Sequence, residues 1–124
     1  LKHHGSASLT VCMKNLMGVI WDRGWLHRNG LHQCIADFAG YRKPDLNVVD
    51  AFNVLMRRGP RGVSTNDVVQ MRSQLIATDM VTADAAAARL FGAKPHEIPY
   101  IRRAAEQGAG RMDLENLSIK RIAL

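Results

Sequence analysis

The chain has 124 residues, 47% of them hydrophobic and 23% charged, with 17 lysines and arginines against 11 acidic residues and a formal net charge of +6. These are the proportions of an ordinary globular domain long enough for one real core, and they exclude a disordered or fibrous chain. No apolar run approaches the roughly 18 residues needed to span a bilayer, the start shows no signal-peptide core, and two cysteines cannot hold a four-iron cluster, so a single cytoplasmic α/β domain with no membrane contact is expected.

Leu1, not Met, stands first, and the chain opens almost inside a motif. It is therefore expected to be part of a longer protein, with self-association as one way to cover apolar surface. Residues 1 to 7 are small and polar and read as a loop that leads into a helix from about Ser8 to Ile20. In that helix Leu9, Cys12, Met13, Leu16, Met17 and Ile20 form an apolar stripe at spacings of three and four, leaving Lys14 and Asn15 off it. WDRGWLHRNG, with two tryptophans and two glycines, reads as an irregular loop pinned by its aromatics. A second helix, from about Leu31 to Ala39, buries Leu31, Cys34, Ile35 and Phe38 and stops at Gly40.

LNVVDAF, Leu46 to Phe52, is the clearest strand and places Asp50 near its carboxyl end. RRGPRGVSTN, Arg57 to Asn66, has the composition of a mobile loop. A second strand rises through residues 69 to 78. Thr78 and Asp79 then cap a helix from Met80 to Phe91 that ends at Gly92. Pro99 suits the first turn of another helix, reaching about Gln107, and Leu117 to Leu124 alternates like a final strand. Helices interleaved with strands indicate an α/β fold with a mixed, largely parallel sheet flanked by helices.

Asp84 shares a helix face with Val81, Ala88 and Phe91 and should point inward. A buried carboxylate needs a partner: a lysine, a metal or a substrate hydroxyl on the functional reading, a second capping or tertiary hydrogen bond on the structural one. Asp79 reads first as a helix cap. Lys14 is either a surface lysine with a buried stem or a cation set to meet an anion. His3, His4, Cys12, His27, His32 and Cys34 crowd into 34 residues, yet no pair has the spacing of a zinc motif, so no metal ligands are assigned. Arg57, Arg58 and Arg61, and Arg102 with Arg103, are local basic clusters without a nucleic-acid motif beside them, and nucleic-acid binding is not expected.

The segments LKHHGSASLTVCMKNLMGVIWDRGWLH, LHQCIADF, RKPDLNVVDA, GPRG, IATDMVTADAAAARLFG and EIPYIRRAAEQGAG together resemble the carboxyl-terminal part of the domain-of-unknown-function 362 family. The resemblance implies a bacterial or archaeal protein of the kind found beside iron-sulfur ferredoxin modules, although the ferredoxin cysteine cluster is absent here. It matches the family's Lys-x-His start to Lys2 and His4, its Lys-Asn pair to Lys14 and Asn15, its strand-end aspartate to Asp50, and its Thr-Asp and second aspartate to Thr78, Asp79 and Asp84. Met80 stands where the family commonly has proline.

The combined expectation is one polar cleft. His4, Asp50 and Asp84 would act on protons, while Lys2, Lys14, Asn15, Thr78 and Asp79 would hold a small anionic or metal-supported ligand; no cofactor is specified. The alternative is a non-catalytic domain that docks a ferredoxin-like or other protein partner. Salt sensitivity separates a charged docking surface from a sheltered pocket.

Overall fold

The computed structural model describes residues 1–123. In chain order it contains β1 (Lys2–His4), β2 (Ser8–Thr10), α1 (Cys12–Leu16), α2 (Arg23–Arg28), α3 (Leu31–Tyr41), β3 (Asn47–Leu55), β4 (Val68–Ala77), α4 (Met80–Phe91) and α5 (Pro99–Glu106), with short 3-10 turns between several of them. The α/β class and the mixed sheet are as expected. The strand order is β2-β1-β3-β4, and only β1 and β3 run parallel; β1 with β2 and β3 with β4 are antiparallel. The largely parallel sheet is thus corrected to a mostly antiparallel one. β3 and β4 are joined through a loop of 12 residues that carries no helix long enough for a parallel crossover, so the chain returns as a hairpin.

The expected helix from Ser8 to Ile20 is also corrected. Ala7, Leu9, Val11 and Met13 are all buried, a period of two that competes with the period of three to four over the same residues. Pairing with β1 decides the contest for the first part, with Lys2 opposite Thr10 and His4 opposite Ser8. Residues 1 to 7 are therefore a strand and a tight turn, and only Cys12–Leu16 remains α-helical. The aromatic-pinned loop is likewise corrected. Asp22 accepts a hydrogen bond from the Trp25 amide at 2.8 Å and caps α2, while Trp21 is fully exposed and pins nothing.

Further along, sequence and structure agree closely. α4 has the expected bounds because both ends are chemically marked, by the Asp79 cap and by Gly92 in the left-handed region at φ 89°. Its alanines 83, 85, 87 and 88 are buried, which lets the helix lie close against β3, β4, α1 and α5. α3 runs through Gly40 to Tyr41 instead of ending at the glycine. The final strand does not form: a 3-10 turn at Leu114–Asn116 precedes residues without regular structure through 123, and Leu124 lies outside the described residues.

The loop from Arg57 to Asn66 is tethered. Asp67, fully buried, accepts from the Arg58 guanidinium at 2.6–2.9 Å and from the amides of Val63 and Ser64 at 2.9 and 3.2 Å. Arg58 and the Val63 amide hold its carboxyl well below the usual carboxylate range. A buried anchor outweighs a composition rich in glycine and proline. The outer face of the β3–β4 hairpin leaves Val48, Phe52, Val69 and Ile76 about half exposed or more. No helix among the described residues is long and apolar enough to cross a membrane.

Candidate functional site

Three elements bring basic groups to one cleft, each by its own period. On β1, Lys2 and His4 are two residues apart and share a face. On α2, Arg23 and His27 are four apart and lie one turn above the other. Lys14 comes from α1, with Asn15 beside it. These side chains line a cleft of about 220 Å³, completed by Thr10, Gly18 and an apolar wall of Met17, Leu26, Leu31 and Pro60. Among the described residues no carboxylate lines it. Lys2, Lys14 and Arg23 bring three cationic side chains to its walls.

The groups feel one another. Burial, then the charges of Lys2 and Arg23, lower the Lys14 ammonium below its ordinary value. Burial, then Lys14, His27, Lys2 and His3, lower the His4 imidazole. The rings of His4 and His27 stack with centroids 6.2 Å apart and planes 24° from parallel. His4 Nδ1 accepts from the Ser6 amide at 3.2 Å, which leaves Nε2–H as the donor of the neutral ring. Thr10 carries a buried hydroxyl with no hydrogen-bond partner among the described residues. Pro60 is held at the cleft by its neighbour: the Gly59 amide donates to His3 Nδ1 at 3.0 Å, and a Cβ on residue 59 would collide with the His3 carbonyl oxygen.

Lys2, His4, Lys14 and Asn15 are therefore gathered as expected, and the aspartates and Thr78 are not. Asp50 is exposed, accepts from the Phe52 amide at 2.8 Å, and lines a second hollow of about 210 Å³ that shares Lys2, Thr10 and Asn15 with the first. Thr78 is exposed beside the cap of α4. Asp79 Oδ1 accepts from the amides of Val81 and Thr82 at 2.8 and 3.2 Å, and Oδ2 accepts from the Arg111 amide at 2.7 Å. Both of its oxygens are committed to backbone donors, and neither Thr78 nor Asp79 lines either hollow.

Asp84 points inward, as its helix position requires, but its partner is backbone. Oδ1 accepts from the amides of Cys12 and Met13 at 2.9 and 3.3 Å, so a carboxyl on α4 satisfies the free donors at the start of α1. Burial pushes this carboxyl up to about 7 against the pull of those amides. Its Oδ2 and the Tyr100 hydroxyl are both buried without a hydrogen-bond partner among the described residues, and the nearby carboxylate adds to the burial that raises the phenol. Cys12 is pushed up to about 12 by burial and by Asp84, which makes it a poor nucleophile. Asp84 is therefore a support beneath the helix that presents Lys14, outside the cleft itself.

Sequence reasoning missed Arg23 and His27. An available signal was Asp22 ahead of a segment whose basic residues recur at a spacing of four, the mark of a capped helix with one basic face. Among the described residues no group of three or more His, Cys, Asp or Glu side chains is placed to hold a metal ion.

The fold and the cleft define a small α/β domain in which a basic hollow lies between the sheet's parallel junction and two short helices. The chain belongs to the family described as Domain of unknown function (DUF362), whose family model matches residues 1–89. That span contains every residue lining the cleft and ends inside α4. No curated protein and no solved structure matches the chain.

Proposed function

We propose that this domain binds a small anionic molecule in the cleft lined by Lys2, His4, Lys14, Asn15, Arg23 and His27. The observation that supports it is the concentration of five basic side chains around one hollow that no carboxylate among the described residues lines. Mutual repulsion among partly desolvated cations is unfavourable in the empty protein, and an anion relieves it. Lys14 and Arg23 supply charge, Asn15 and Thr10 supply neutral hydrogen-bonding groups, and His4 supplies an Nε2–H donor. The apolar wall accommodates the uncharged part of an organic anion.

Thermal-shift titration with phosphate, sulfate, citrate and acetate tests this reading. At least one multivalent anion should stabilise the protein, and Lys14→Ala or Arg23→Ala should weaken that response on the order of tenfold, the scale of one hydrogen bond to a charged group. Lys94→Ala, which removes an exposed cation that is paired with Glu97 and does not line the cleft, should leave it unchanged. Equal responses in all three variants would refute the assignment of the site.

A further inference from the structure

Within that reading, and resting on it, the stacked imidazoles of His4 and His27 point to a more specific ligand chemistry. Two features of the cleft decide it. The first is its fixed charge: with Lys2, Lys14 and Arg23 all facing the same hollow, a singly charged carboxylate leaves two cations unbalanced, whereas a compact oxyanion with two charges meets all three through several equivalent oxygens. The second is the pair of rings, 6.2 Å apart, at the same wall.

We propose that the cleft takes a doubly charged oxyanion of the phosphate-monoester kind, and that His4, stacked on His27, takes up a proton as the anion binds.

In the empty cleft His4 is faced by Lys2 on β1, Lys14 on α1 and Arg23 and His27 on α2, with His3 acting on it from within β1; Leu31 of α3 and Pro60 carry no charge. This positive surround disfavours an imidazolium, and a dianion seated among the same groups reverses the sign of the local field. The His27 ring, 6.2 Å away, belongs to the surround that lowers His4, so an anion seated among these groups favours a proton on His4. A protonated His4 would release the Ser6 amide from Nδ1, and that amide sits in an exposed turn where water replaces the ring. Affinity for the dianion should therefore rise as the solution becomes more acidic.

Calorimetric titration with sulfate tests this, because sulfate stays doubly charged across the working range and any proton taken up belongs to the protein. Measured in two buffers of different ionisation heat, sulfate should bind about tenfold more tightly at about pH 6 than at about pH 8, with proton uptake at the acid end. Methyl phosphate should compete with it, and acetate should bind at least about tenfold more weakly. His4→Asn should reduce the ratio between the two pH values to below about twofold. Sulfate binding of equal strength at both pH values would overturn the proton-linked part, and acetate binding as tightly as sulfate would overturn the ligand class. The absence of any anion binding at either pH would instead remove the proposed function on which both rest.

Discussion

Asp84→Asn isolates the consequence of one buried charge. Asparagine keeps an oxygen for the amides of Cys12 and Met13 and removes a carboxylate that no cation balances among the described residues. Burial carries this carboxyl from its ordinary 3.8 up to about 7. That displacement of about three pH units corresponds to about 4 kcal/mol at ~1.36 kcal/mol per unit. Because the folded value is the higher one, the group imposes no penalty below about pH 4, where both states are protonated; the penalty grows as pH rises and is complete above about pH 7. The asparagine variant has no such dependence. An amide N–H group buried in place of the partnerless Oδ2 costs about 1 kcal/mol, so the variant should be slightly less stable than the parent at about pH 4 and about 3 kcal/mol more stable at about pH 8. Urea unfolding followed by circular dichroism measures both; Trp21 is fully exposed and makes fluorescence a poor reporter. A stability difference that stays constant across that range would refute the reasoning.

Two other outcomes follow from the same geometry. Asp79→Ala should cost about 1–2 kcal/mol, the value of a helix cap, and should increase amide exchange at both Val81 and Arg111, two segments that Asp79 joins; exchange confined to α4 would count against the bridge. Cys12, pushed up to about 12 by burial and Asp84, should resist iodoacetamide in the folded protein at about pH 8 and react on unfolding. Labelling of Cys12 at the rate of a free thiol would contradict this.

The elements best read from the sequence were those whose ends carry their own chemistry. α4 begins at an aspartate cap and ends at a left-handed glycine, and α5 begins at Pro99. The first 30 residues were less legible because Leu9, Met13 and Met17 satisfy a helix while Ala7, Leu9, Val11 and Met13 satisfy a strand. Only the tertiary partner chooses between the two periods, and no local residue names β1 as that partner. The same non-local pairing set the sheet's direction. At the site, Lys2, His4, Lys14 and Asn15 were legible as polar groups near one helix, and Asp84 was legible as buried. The hydrogen bonds that Asp84 accepts from amides 72 and 71 positions away in sequence were not, since a carboxylate that caps a distant helix looks in sequence like one that serves a substrate.

Gly59 has a bearing on the outline of the cleft. Its lone hydrogen lets the loop before β4 settle against β1, and Pro60 stands at the cleft because of that seat. The seat of Pro60 is therefore set by main chain meeting main chain, apart from the basic side chains that line the same hollow. A bulkier residue at position 59 should displace the loop and Pro60 with it. The outline of the hollow and its charge are thus mounted on separate parts of the molecule.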